Sequence, residues 1–155
     1  MMPVQGEGRF LIVRAQHWTC ALPLSEVAET LRPLPLSPMA GVPPFLRGVS
    51  IIRGEPTPVI GLASLLGGTD SPEGGRFVMM RIPERRLALA VDEVIGLRSL
   101  DVAELGSVPP LLRDAAGGHL EVLGTLDGRL LGALSTTRLL PEALWDSLVN
   151  RGETA

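Results

Sequence analysis

Apolar residues along this chain occur in short runs of strand length, separated by turns rich in glycine and proline. Residues 10–13 (FLIV) and 18–22 (WTCAL) are two such runs on either side of a short polar turn, and together they predict a β-hairpin. A second pair lies within residues 46–60, where β-branched residues flank the turn sequence Arg53-Gly54-Glu55-Pro56. This pair predicts a second hairpin near the surface, because prolines, which lack an N–H donor, are typical of an edge strand, a strand start or a bulge.

Two further hairpins are predicted in the second half of the chain. Residues 76–82 and 87–94 are apolar runs separated by the sequence PERR. Residues 120–126 and 129–134 flank Asp127-Gly128, a pair that suits a type I′ turn because both central residues of that turn need positive φ. Short strands are therefore the dominant predicted elements.

Helical signals are few and short. Ser25 is a suitable N-cap for a helix over residues 26–31, with acidic residues in its first turn. Residues 62–66 predict a single helical turn that ends at a glycine pair. Pro141 suits the first position of a C-terminal helix, which Arg151-Gly152 would end.

These elements predict an all-β fold of the barrel class, organised as one domain. We expect a loose N-terminal leader at residues 1–8, the domain at residues 9–150 and a tail at residues 151–155. Residues 32–44 contain five prolines and predict a rigid surface segment. Residues 101–118 predict another surface connection.

Composition limits what the protein can do. The chain has 155 residues, enough for one core or for two small cores that share an interface, and its 18 Gly and 14 Pro predict short elements. Its formal net charge is −3 and its 14 cations, all arginine, are scattered, so we expect no binding to nucleic acid. The absence of lysine excludes a Walker-type phosphate loop and a Schiff-base enzyme.

The sequence also predicts a cytoplasmic location. Cys20 is the only cysteine and cannot form an internal disulfide. The N-terminus lacks the pattern of a signal peptide, and no apolar run approaches the ~18 residues of a membrane span. We therefore expect no direct insertion into a membrane.

Candidate catalytic and metal-binding residues are few. Neither His17, in a predicted turn, nor His119 has a second ligand at metal-binding spacing. Cys20 lies in a predicted strand without an adjacent charge, which is typical of a buried, inert thiol. Asp92 and Glu93 are neighbours in a predicted strand, so we expect their side chains on opposite faces. The sequence thus predicts no enzyme, no cofactor and no metal.

Arg47 and Arg53 are the charges of interest. They are six residues apart in the second predicted hairpin, which places them on one face of a strand. Each is followed by a glycine that would let another chain approach closely. The pattern alone also fits two solvated arginines at strand ends.

The second hairpin and its flanks contain a series of residues with characteristic spacing: Pro43, Leu46, Gly48, Val49, Ile52, Arg53, Gly54, Pro58, Val59, Ile60, Leu62 and Gly67. This series resembles the signature of the CheW-like chemotaxis coupling proteins. A second family landmark is matched by Ala88, Leu89, Val91, Asp92 and Val94. Ile51 and Gly61 depart from the signature, because the family usually has Asn and Asp at these positions.

The resemblance implies two small five-stranded barrels of the Src-homology-3 type, packed as one unit. It implies a non-enzymatic adaptor that links chemoreceptor cytoplasmic tips to the regulatory domain of a CheA-like histidine kinase. Val27, Glu29, Gly48 and Arg53 match positions that the family uses for partner contacts, and we add Arg47 as a fifth candidate. Two alternatives remain open: a CheW-like module in a pathway other than motility, and a small-molecule-binding barrel.

Overall fold

The computed structural model describes residues 7–70, 75–101, 106–107, 122–127 and 129–134. In these residues strands predominate, with one α-helix, α1 (Leu62–Leu65), and one 3₁₀ turn (Leu24–Glu26). The strands are β1 (Glu7–Ala15), β2 (Trp18–Pro23), β3 (Val27–Leu31), β4 (Leu46–Ile52), β5 (Glu55–Gly61), β6 (Arg76–Ile82), β7 (Arg85–Val91), β8 (Glu93–Asp101), β9 (Gly106–Ser107), β10 (Val122–Leu126) and β11 (Arg129–Ala133).

The first sheet has the strand order β8-β1-β2-β11-β10-β9. β1 and β2 form the first predicted hairpin, and β10 and β11 form the last one, with Leu126 opposite Arg129. Asp127 in this last turn has φ 52°, as a type I′ turn requires. Because β11 runs parallel to β2, the two hairpins join into one sheet.

The second sheet has the order β3-β6-β7-β5-β4 and contains the other two predicted hairpins. The parallel pairing of β5 with β7 begins at Val59. Pro56 and Pro58 lie before this point, so their missing N–H groups remove no hydrogen bond between β5 and β7. The chain after β3 returns to β4, where Ser37 and Val49 exchange backbone hydrogen bonds of 2.8 and 3.0 Å. These bonds bring the two edges of the sheet together and close it into a small barrel.

Within the described ranges, buried apolar side chains form three clusters. Alternation along β1 sends Leu11 and Val13 into a large cluster shared by both sheets, and Phe10 and Ile12 into a small cluster of the first sheet. A third cluster, which includes Phe77, belongs to the second sheet. Each sheet therefore has a cluster of its own, and the two sheets share the large one. The all-β fold of two packed, barrel-like sheets is confirmed, although β9 gives the first sheet six strands instead of five.

The helix predicted over residues 26–31 is wrong. Val27–Leu31 is strand β3, antiparallel to β6. Its side chains alternate between half-buried and exposed, which is the period of a strand. Val27 and Thr30 are β-branched, which lowers the helix propensity of this segment further. Pairing with β6 therefore outweighs the capping signal of Ser25.

Three boundaries also differ from the prediction. β1 already begins at Glu7, inside the segment predicted as a leader. The apolar run at residues 87–94 is divided at Asp92 into the end of β7 and the start of β8. The predicted connection at residues 101–118 contains β9.

The predicted turn of helix after β5 is confirmed as α1. The predicted C-terminal helix and the tail at residues 151–155 lie outside the described residues. Within the described part of the chain, no helix has the length and apolar character needed to cross a membrane.

Candidate partner-binding site

Arg53 lies in the tight turn between β4 and β5. Its φ is 52° and that of Gly54 is 79°, and two consecutive positive values are typical of a type I′ turn. The guanidinium of Arg53 binds Glu29 of β3: Nε donates to Oε2 at 2.6 Å and Nη2 donates to Oε1 at 2.5 Å. Because β3 and β4 are the two edges of the second sheet, this two-point ion pair bridges the edges where the barrel closes.

The ion pair is accessible to a partner. The Arg53 side chain is 71% exposed and that of Glu29 is 33% exposed. The hydrogen bond from Arg53 lowers the pKa of Glu29, and the same bond raises the pKa of Arg53. Since ion pairs in water contribute little to stability, we expect this pair to add little to the stability of the fold.

Arg53→Asn is expected to raise the pKa of Glu29 toward its ordinary value of 4.5, because both hydrogen bonds are lost. Asn tolerates positive φ, so the turn is kept. Since the folded-state pKa of Glu29 is lowered, the contribution of the pair is present above the ordinary pKa and is lost as the pH falls through the lowered one. NMR titration of the Glu29 carboxyl carbon measures this. Identical titrations of Glu29 in the wild type and the variant would contradict the ion pair between Arg53 and Glu29.

The outer face of the β4–β5 hairpin beside Arg53 is apolar. Ile51 is 61% exposed and lies opposite Pro56, while Val49 lies opposite Pro58. These four residues are termed the hairpin patch, and exposed apolar patches of this kind are typical of interaction sites. The sequence-based site did not include them, although the alternation of Val49 and Ile51 along β4 could have identified an outward apolar face.

The other predicted residue of β3, Val27, is half-buried. Its side chain packs against the cluster shared by the two sheets. The pairing of β3 with β6 shifts register between Val27 and Glu29. Glu29 is therefore the β3 candidate that engages Arg53, while Val27 contributes to the core beneath.

Gly48 has a structural reason to be glycine. Its φ is 144°, and a Cβ at this position would overlap the carbonyl oxygen of Ser37 and lie 3.0 Å from the carbonyl carbon. Ser37 cannot easily move away, because it is bonded to the adjacent residue Val49. The role of Gly48 in partner binding stays a prediction.

Arg47 lies near the start of β4, and its predicted position on one face with Arg53 stays a prediction. The β4–β5 register shifts between Leu46 and Gly48, which makes Arg47 the extra residue of a β-bulge. Arg53 lies beyond the other end of β4. Arg47 borders a cavity of about 220 Å³ together with Asp70.

Asp92 and Glu93 also differ from the prediction, because a bend separates them into two strands. Their side chains both reach Arg14 of β1. Nη1 of Arg14 lies 3.5 Å from Oδ2 of Asp92, and Nε of Arg14 lies 3.2 Å from Oε1 of Glu93. Asp92 also accepts the N–H of Gln16 at 2.7 Å. The two acids therefore fix the β1–β2 turn against the link between β7 and β8.

The remaining chemical candidates are Cys20 and His17. Burial raises the pKa of the Cys20 thiol to about 12, so the thiol stays protonated and inert at neutral pH, as the sequence predicted. His17 is exposed in the β1–β2 turn. Among the described residues, which do not include His119, no three His, Cys, Asp or Glu side chains are grouped to hold a metal ion.

Comparison with known proteins agrees with the signature in the second hairpin. Protein FrzA from Myxococcus xanthus is 34% identical over 116 residues, which are 74% of this chain and 72% of FrzA. The crystal structure of the scaffolding protein TtCheW from Thermoanaerobacter tengcongensis has the same fold, with a TM-score of 0.75 and 18% identity over 86% of this chain and 92% of that one. The CheW-like domain model matches residues 9–144, and the chain therefore belongs to the CheW-like domain family.

Proposed function

We propose that this CheW-like chain is a non-enzymatic scaffold of chemotaxis-type signalling in the cytoplasm, which couples chemoreceptor tips to the regulatory domain of a histidine kinase. The ion pair between Arg53 and Glu29 carries the proposal. It is an exposed, hydrogen-bonded pair beside an apolar patch, an arrangement that provides a polar anchor next to surface that a partner can cover. Family membership supports the same role.

The proposal divides the surface between two partners. The hairpin patch and the Arg53–Glu29 pair are the surface that we assign to the kinase regulatory domain. By resemblance to the family, a groove between the two barrels is assigned to the helical hairpin of a receptor tip. In the kinase contact, the patch would supply buried apolar area, and Arg53 would set the orientation.

Arg53→Asn is expected to weaken binding to the kinase regulatory domain about 30-fold, equivalent to about 2 kcal/mol. Asn keeps the turn but cannot offer the charge and the fork of donors that a guanidinium presents to a partner's acceptors. Titration calorimetry with the purified regulatory domain of the cell's own chemosensory kinase measures the affinity. Thermal unfolding of the same samples should change by less than about 2 °C, because an exposed pair contributes little to folding.

The matched control is Arg98→Ala. Arg98 forms a comparable exposed ion pair with Asp127 at 3.0 Å, but it lies on β8 in the first sheet. We expect this variant to bind the kinase domain within twofold of the wild type. A wild-type chain that binds neither the kinase domain nor a receptor tip would reject the adaptor function, and normal kinase binding by Arg53→Asn would remove Arg53 from the contact.

A second candidate is the same adaptor role in a pathway whose output is not motility. The observation that favours it is Ile51, an exposed aliphatic residue where the family usually has a polar one. A partner that covers this side chain is expected to present a more apolar surface. Capture of the tagged chain from its native cells, with identification of the bound kinase, distinguishes the two pathways.

A further inference from the structure

The N-terminus of α1 is capped by a residue that follows the helix in sequence instead of preceding it. Gly61 precedes the helix and has no side chain to accept the free N–H groups of the first turn. The acceptor is Asp70, whose Oδ1 accepts the N–H of Ser64 at 3.2 Å. Ser64 is the third helical residue, which is a usual target of an N-cap side chain. Asp70 therefore performs, from beyond the end of the helix, the task of an N-cap residue.

The space next to Gly61 is filled by the same carboxylate. A Cβ built on Gly61 would overlap the carboxyl atoms of Asp70. The backbone of Gly61 does not require glycine, because φ −76° and ψ 114° are accessible to other residues. A side chain at position 61 would therefore have to displace the carboxylate of Asp70.

We propose that positions 61 and 70 share one capping site for α1, which a single carboxylate occupies, and that Asp70 is the occupant in this chain. The surroundings of Asp70 agree with a working cap. Burial raises its pKa, and the negative charge of Asp92 adds to this effect, whereas the N–H groups of Ser64 and Ala63 and the nearby Arg47 act in the opposite direction. The donors thus compensate in part for holding a carboxylate in a half-buried position.

The test is the effect of one substitution in two backgrounds. In the wild type, Asp70→Ala is expected to lower the folding equilibrium constant about tenfold and the thermal midpoint by about 3 °C, since the cap is lost. In the background of Gly61→Asp, two carboxylates compete for the site, and removal of Asp70 leaves the new Asp as the cap. There, Asp70→Ala is expected to raise the midpoint.

Asp70→Asn is the matched control, because the amide oxygen accepts the same N–H and Asn caps about as well as Asp. Its midpoint should stay within about 1 °C of the wild type. Native-state amide exchange at Ser64 reports on the cap directly. The Ser64 amide should exchange faster in Asp70→Ala than in the wild type, and the addition of Gly61→Asp should slow its exchange again. If Gly61→Asp alone does not fold, folding of the double variant counts as the expected reversal. A loss of similar size in both backgrounds, or unchanged exchange at Ser64, would overturn the shared site.

Discussion

Gly48→Ala is expected to lower the free energy of unfolding by about 3–5 kcal/mol. Two effects add. The φ of 144° is unfavourable for any residue with a Cβ, and the new methyl group would overlap the carbonyl of Ser37. The overlap is with backbone that holds β4, so relief requires breaking the Ser37–Val49 hydrogen bonds that close the barrel.

Gly96→Ala separates the two effects. Gly96 has nearly the same φ, 152°, but no atom lies within 4 Å of the position of its Cβ. Its substitution should therefore cost only the backbone strain, about 1–2 kcal/mol. Urea unfolding of both variants measures the difference. Equal losses would mean that Ser37 moves aside freely, and the contact that closes the barrel would then not constrain position 48.

This comparison also decides how lost partner binding at Gly48 is interpreted. A substitution that unfolds β4 displaces the hairpin patch and Arg53 together, because all of them are carried by the same hairpin. Binding should then fall in proportion to the unfolded fraction. If Gly48→Ala remains folded and nevertheless loses partner binding, Gly48 itself belongs to the partner-binding surface.

The hairpins could be predicted because their signals are local. Asp127, and Arg53 with its following glycine, lie at turns where positive φ is needed, and the flanking apolar runs have the length of strands. The single-turn helix at residues 62–66 was predictable for the same reason, since a glycine pair follows it. Signals within a few residues were sufficient for these elements.

What could not be predicted depends on residues far apart in sequence. Glu29 and Arg53 are separated by 24 positions and meet only because the sheet closes. β3 was predicted as a helix because a capping signal is visible in the sequence, whereas its partner β6 is not.

The departure at Gly61 has the same kind of explanation. Read from the signature alone, a glycine in place of the usual acid is a missing polar group. In the folded chain the carboxylate of Asp70 occupies that volume and bonds Ser64. A compensating residue in a loop has no periodicity and no motif, so pattern analysis cannot detect it.

The second large effect concerns the core that the two sheets share. Leu22→Ala, in the first sheet, and Leu89→Ala, in the second, should each lower the free energy of unfolding by about 3 kcal/mol. Both side chains are fully buried in the shared cluster, at 0% exposure, so each truncation leaves a cavity. For a chain of this length the thermal midpoint should fall by about 6–12 °C.

The important outcome is that both variants should shift one and the same transition. If residues 9–150 form a single domain, neither sheet is stable without the shared cluster, and a cavity on either side destabilises the whole unit. Leu97→Ala is the control, since Leu97 is 50% exposed on β8 and its truncation should change stability by less than about 0.5 kcal/mol. Calorimetry and circular dichroism should give coincident transitions for all three variants. Two separate transitions, of which Leu22→Ala shifts one and Leu89→Ala the other, would show that the sheets fold independently and that the single-domain prediction is wrong.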